Sequence, residues 1–265
     1  MGEKILYERD GAVVTLTLNE PETRNAIADE MIAELVEIVA GVNADPLVSC
    51  VIVTGAGNGF SSGGNLKEMQ RREGHFDETG WRARRKYRHG IQKIPLALYD
   101  IECPTIAAVN GPAVGAGCDL ALMCDIRIAS EKATFAESFL RVGLVSGDGG
   151  AWFLPRVVGL SRAYEMTFTG DFLDARQAQE YGLVSRVVPH DALLEEARAL
   201  AGRIACHPPH ALRMTKRLIR KADQMSLDDS LEMAAAMQAL VLQTDDHKEA
   251  YQAMLAKRKP SYRGS

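Results

Sequence analysis

The chain has 265 residues, 46% of them apolar and 25% charged, with a net charge of −4. That is enough chain for one large domain with a sizeable core, and the composition is that of a globular protein. The acidic balance argues against nucleic acid as a partner, because phosphate binding needs an excess of basic charge. No run approaches the roughly 20 apolar residues of a membrane span, and the first ten residues lack the apolar stretch of a signal peptide. The expectation is a cytoplasmic protein with no membrane partner.

Residues 4–19 read as a β-hairpin, with a turn at Asp10-Gly11 between alternating apolar positions. A helix follows, its stripe formed by Ile27, Met31, Leu35, Ile38 and Val39. An apolar strand at 48–54 leads into the glycine-rich stretch Phe60–Leu66, and a polar helical region runs from about 65 to 98. Pro104 opens a second apolar strand at Thr105–Val109. It leads into a second glycine-rich stretch, Val109–Leu120, then a short helix and a strand at 125–129. Strands alternating with helices predict βα units with parallel pairing. From about residue 190 helical periodicity dominates, over 191–206, 211–223, 226–243 and 245–257. The chain therefore divides into a core at 1–190 and a helical region at 191–265. The stretch Asp229–Gln243 carries more apolar surface than one exposed helix needs, which predicts packing on the body or against another subunit.

The two glycine-rich stretches carry the chemistry. A strand-turn-helix junction leaves N–H groups unpaired at the positive end of a helix, and glycine admits a bound group close to that backbone. Two facing junctions would hold one developing negative charge between two donors, as in an oxyanion hole. By themselves the glycines read equally as tight turns of an α/β domain. Neither stretch continues as a phosphate loop or a dinucleotide fingerprint. The cysteines (Cys50, Cys103, Cys118, Cys124, Cys206) include no Cys-x-x-Cys pair and read as reduced, buried, small hydrophobes. No Cys/His group has zinc spacing, so no metal is expected. The basic clusters at 82–88 and 216–221 read as solvated helix faces.

Several ordered blocks carry a resemblance. Asn19 and Pro21, followed by Asn25-Ala26, form an N-terminal signature. The block Phe60-Ser61-Ser62-Gly63-Gly64-Asn65-Leu66 and the stretch from Ala107 to Asp125 follow. Thr169–Ala178, Gly182–Pro189 and a Lys257-Arg258-Lys259 near the end complete the set. Together the blocks make the chain similar, over nearly its whole length, to the crotonase superfamily, also called the enoyl-CoA hydratase/isomerase family. The resemblance implies an α/β fold: a crotonase-like spiral of ββα units followed by a helical C-terminal region that builds trimers, often paired into hexamers. It implies an acyl-CoA thioester substrate, with coenzyme A as part of the substrate and no separate bound cofactor. It implies that the N–H groups of Gly64 and Ala116 form the oxyanion hole and that Arg24 and Ala26 lie along the CoA. The Ser62 backbone would lie near the adenine, and Lys257 would reach a neighbouring subunit's CoA phosphates.

The departures matter as much. Hydratases that the chain resembles use two glutamates; here the first falls on Asp119 and the second on Phe139, which cannot move a proton. Three carboxylates are candidates to compensate: Asp119, Asp148 and Glu137. The plainer readings make Asp148 the cap of a helix at 149–159 and Glu137 a solvated strand residue. Phe139 and Trp152, with Trp81 and Phe153, are read as bulky pocket walls or as core. The leading expectation is a hydratase-like lyase working through a thioester enolate, with Asp119 and Asp148 as its acid/base pair. Alternatives are an enoyl- or dienoyl-CoA isomerase, an acyl-CoA C–C hydrolase or thioester hydrolase, and a non-catalytic acyl-CoA-binding protein.

Overall fold

The computed structural model describes residues 3–73 and 79–265. The expected hairpin is present as β1 (Ile5–Asp10) and β2 (Val13–Leu18), antiparallel with Ile5 opposite Leu18. α1 (Asp29–Ala44) buries Met31, Ile32, Leu35, Val39 and Val42 at helical spacing, each worth roughly 1.5–3 kcal/mol of transfer free energy. β3 (Cys50–Gly55) then lies parallel to β2. Of the polar helical region expected at 65–98, residues 74–78 lie outside the described residues. The rest forms α2 (Leu66–Arg71), α3 (Gly80–His89) and α4 (Lys93–Asp100).

β4 (Thr105–Val109) continues the parallel sheet, and β5 (Ala113–Val114) leads directly into α5 (Ala116–Met123). β6 (Ile126–Ser130), β7 (Thr134–Ala136), α6 (Gly150–Val158), α7 (Leu160–Thr169), β8 (Leu173–Asp174), α8 (Ala175–Glu180) and β9 (Arg186–Val188) follow. α8 starts at a reciprocal capping box between Asp174 and Gln177. The result is a six-stranded sheet in the order β1-β2-β3-β4-β6-β9, parallel except for the first hairpin, and a three-stranded sheet in the order β5-β7-β8. The three strands of the smaller sheet fall between β4 and β9 in the chain, so it collects segments that follow strands of the larger sheet.

The helical region completes the body before it leaves it. α9 (Leu193–Ala205) lays Leu193, Ala197 and Ala201, one turn apart, against Cys50, Ile52, Ile106, Ala108 and Ile128 on the outer face of the large sheet. The small side chains let helix and sheet approach closely. α10 (Pro209–Ala222) corrects the expectation of a solvated basic face. Lys216 is buried, its Nζ 2.7 Å from the Cys103 carbonyl oxygen and 2.6 Å from Asp125 Oδ2, and Arg220 reaches Asp125 Oδ1 at 2.7 Å. Arg213 is buried too and donates to Glu102 Oε2 at 2.7 Å and to the Asp45 carbonyl at 2.6 Å. A charged helix face is drawn inside because the body offers a carboxylate and carbonyl oxygens to receive it. α11 (Leu227–Val241) and α12 (Asp245–Leu255) begin at Ser226 and Thr244, whose hydroxyls accept from the N–H groups of Asp229 and His247. No side chain of α11 is buried. Cys206 is exposed, against the expectation of five buried cysteines, while the other four are buried. No described helix is long and apolar enough to cross a membrane.

Candidate active site

The two glycine-rich stretches meet. Ser61 bridges to Ala113 in parallel register, and the Val114 N–H donates to the Ser61 carbonyl at 3.0 Å. Gly63 has φ +70°. A Cβ there would collide with the Val114 carbonyl oxygen and lie 2.9 Å from the Ala116 nitrogen, so only glycine permits this contact. The N-terminal signature braces the first stretch. Ile27 N–H donates to Gly63 O at 2.9 Å, Ser62 N–H donates to Arg24 O at 2.8 Å, and the fully buried Asn25 amide donates to Gly59 O and Phe60 O. Asn65 caps α2 by accepting from Lys67 N–H at 3.0 Å.

A cavity of about 290 Å³ opens beside this junction. Gly64, Ala116, Ser62, Phe139 and Asp148 all line it. Among the described residues, neither Gly64 N–H nor Ala116 N–H donates to a protein acceptor. Ala116 begins α5, where the helix dipole adds positive potential. Two residues whose backbone N–H groups lack a protein acceptor therefore line one apolar-walled space. Phe139, in a 3₁₀ turn at Ser138–Val142, packs its ring against the Gly115 turn that presents Ala116. Arg24, Ala26 and Lys257 are not among the lining residues. Arg24 and Lys257 are exposed with φ of +57° and +52°, and Ala26 is buried beneath the first glycine stretch.

The three candidate carboxyls converge, and one of them reaches the cavity wall. Gly115 N–H donates to Ala136 O at 2.8 Å, and the β5–β7 pairing sets Glu137 beside α5. Asp119, one turn into that helix, is fully buried, and Glu137 is 1% exposed, so it is not the solvated strand residue of the plainer reading. Neither lines the cavity; both stand behind it. Asp148 is 3% exposed and does line it. The Ser146 hydroxyl lies between them, 3.0 Å from Asp119 Oδ2 and 3.5 Å from Asp148 Oδ1. Asp148 does not cap α6, because Gly149 occupies that position. Burial, and then the charge of Asp119, push the Asp148 carboxyl up to about 9. Burial pushes Glu137 up to about 7, and burial and Glu137 hold Asp119 well above the usual carboxylate range.

Two expected walls are elsewhere. Trp152 is not a cavity residue. Its ring packs edge-on against Tyr99 at 5.3 Å and Phe153 at 4.7 Å, under the Arg156 guanidinium at 3.9 Å. Phe153 is core, and Trp81 is exposed beneath Arg84. Neighbouring residues of a helix point in different directions, and Trp152 and Phe153 pack on the core side rather than on the cavity. Sequence reasoning missed Tyr87, which lines the cavity from α3. Burial and the Asp148 charge raise its hydroxyl above the usual value. Its place inside the basic run 82–88 concealed it.

The family model described as enoyl-CoA hydratase/isomerase matches residues 8–265. The chain is 38% identical to 1,2-epoxyphenylacetyl-CoA isomerase of Escherichia coli over 100% of both proteins. It is 35% identical to 2,3-dehydroadipyl-CoA hydratase of the same organism, over 98% of this chain and 99% of that protein. The solved structure of an enoyl-CoA hydratase from Bacillus anthracis superposes with a TM-score of 0.90 at 34% identity, covering 99% of this chain and 100% of that one. The chain belongs to the enoyl-CoA hydratase/isomerase family, as an enzyme of that family.

Proposed function

We propose that this enzyme is an acyl-CoA isomerase that shifts a carbon–carbon double bond, with Asp148 as its single proton-transfer group. One observation carries the reading: among the described residues lining the cavity, Asp148 is the one carboxylate. Hydration by two carboxylates needs both at the substrate, one activating water and one serving the α-carbon. Phe139 stands where the resemblance puts the second glutamate, and Asp119 lies behind the wall. Isomerisation needs one group. The Asp148 carboxylate takes a proton from Cα of a 3-enoyl thioester. The C–H electron pair moves into the thioester carbonyl, and the enolate oxygen is held by the Gly64 and Ala116 N–H groups. The pair then returns through Cα and Cβ while Asp148 gives its proton to Cγ, leaving the 2-enoyl thioester. In this reading the CoA chain runs past Ser62 toward Arg24 and Ala26, and Lys257 of a second copy meets its phosphates.

The test is direct. Incubation with a 3-enoyl-CoA should raise the absorbance of the conjugated thioester, whereas crotonyl-CoA should lose little of it. Asp148→Asn should lower the isomerisation kcat by roughly 10²–10⁴-fold. Hydration of crotonyl-CoA faster than isomerisation of the 3-enoyl substrate would overturn the assignment in favour of a hydratase.

A further inference from the structure

We propose that the corner between α3 and α4 is a clamp on the proton-transfer loop, in which the Gln92 amide and the Tyr87 ring fasten Gly147 and so fix how Asp148 enters the cavity. Gln92 and Tyr87 are then positioning residues, acting on the reaction through Asp148. The inference rests on the reading of Asp148 as the proton-transfer group. It assigns a role to a tyrosine and a glutamine that the isomerisation itself does not use.

Asp148 stands between two glycines, and both are closed against the same corner. Gln92 Nε2 donates to the Gly147 carbonyl at 2.8 Å. The Tyr87 ring lies over Gly147 so closely that a Cβ there would come within 2.8 Å of Cε1 and 3.0 Å of Cδ1. On the other side, a Cβ at Gly149 would meet Phe153 of α6 at 3.0 Å and Pro95 of α4 at 3.4 Å. The corner is itself braced. Gln92 N–H donates to the Tyr87 carbonyl at 3.1 Å and Lys93 N–H to the Gly90 carbonyl at 2.9 Å, so one turn of chain sets both ring and amide. Ile94 and Leu98, buried in the core, tie that turn to the body.

The chemistry needs such a clamp. One carboxyl that takes a proton from Cα and returns it to Cγ must reach both carbons from one seat, and a displacement of about 1 Å can cost ~10²-fold in rate. The hydrogen bond that Asp148 receives from the Ser146 hydroxyl is long, at 3.5 Å, so the backbone on either side has to help seat it. The titratable groups about Asp148 are Asp119 on α5, Glu137 beyond β7 and Tyr87 on α3, with Arg141 on the cavity wall. Gln92 carries no charge, so replacing it by another neutral side chain acts on Asp148 through position and solvent alone.

Gln92→Met keeps the length of the side chain and removes the donor. With a 3-enoyl-CoA its kcat should fall ~10-fold or more while KM is largely kept. Difference infrared spectroscopy of the free full-length chain reads the same event without substrate. Subtracting the matching Asp148→Asn protein from wild type and from Gln92→Met isolates the Asp148 carboxyl band and its midpoint in each. Release of the loop admits water, so the midpoint in Gln92→Met should fall by ~1 pH unit or more. A merely structural role would lower the Tm and leave both the kcat and the midpoint of the folded enzyme where they were. If Gln92→Met does not fold, Gly147→Ala tests the other half of the clamp. Gly147 has no left-handed φ, so the added Cβ displaces the Tyr87 ring without straining the chain, and the same two changes should follow. An unmoved midpoint, an unchanged kcat on a substrate that the wild type turns over, or a loss confined to KM would overturn the proposal. A lowered midpoint in variants of an enzyme that turns over no 3-enoyl-CoA would instead count against the reaction assignment alone.

Discussion

Asp148 is costly to the fold and useful to the chemistry, for one reason. Its carboxyl titrates near 9 in the folded chain and near 3.9 when unfolded. Between those values the folded state binds more protons than the unfolded one, so this group makes the protein less stable as pH rises from about 4 to 9. Asp148→Asn removes that penalty. Thermal melting at pH 8 should therefore show Tm raised by ~2 °C or more, with the difference shrinking toward pH 5. An unchanged Tm at pH 8 would mean that Asp148 is already ionised without cost. The same shift predicts the direction of catalysis with pH. The proton-abstracting form is the carboxylate, so kcat/KM for a 3-enoyl-CoA should climb from pH 6 toward pH 9 and level off above it. A profile that falls over that range would show that the protonated form does the work.

At the scale of elements, two junctions hold the molecule's working parts. The glycine turns are fused by backbone contacts, with Gly63 pressed against Val114 and Ala116. Gly63→Ala adds both a clash and a strained left-handed φ, at a cost of about 1–3 kcal/mol. It should displace Gly64 and abolish turnover while the far-ultraviolet circular dichroism stays that of the native fold. The second junction fastens α10. Although burial draws the Asp125 carboxyl up, Lys216 and Arg220 hold it below the usual range. A depressed carboxyl contributes stability that is present above its unfolded value near 4 and lost as pH falls below it. Asp125→Ala leaves Lys216 buried without its charge partner. Urea unfolding at pH 7 should show about 3–5 kcal/mol of lost stability, and much of that difference should vanish in acid.

At the scale of the whole molecule, the C-terminal helices present a surface that a lone chain leaves open. Leu227, Leu231 and Leu240 on α11 and Met254 and Leu255 on α12 are all exposed. So are Leu160, Tyr164 and Phe168 along one side of α7. Apolar patches of this kind mark interfaces. Sedimentation velocity at micromolar concentration should report a trimer or hexamer of the 28.9 kDa chain, and Leu231→Glu with Leu240→Glu should dissociate it. A wild-type monomer would remove the expected role of Lys257, which is exposed just beyond α12.

Much of this protein follows from sequence alone, because the signals concerned are local. Alternation in the first hairpin, the apolar stripe of α1 and the two strand-glycine-helix junctions are each written within some fifteen residues. Their order yields the α/β class, and the resemblance carried by the sequence blocks implies the family and the role of the Gly64 and Ala116 N–H groups. What only the tertiary structure decided is which side chains face which space. All eight residues of α5 are buried, so no polar face marks where Asp119 points. Glu137 is drawn to it by a β5–β7 pairing that brings distant segments together. Trp152 packs half-buried against the core, Tyr87 enters the cavity out of a basic run, and Lys216 goes inside because Asp125, ninety-one positions earlier, receives its charge. The direction of a buried side chain is a long-range decision. It depends on which partner can satisfy it or fill against it, and that partner is identified only when the layers are in place.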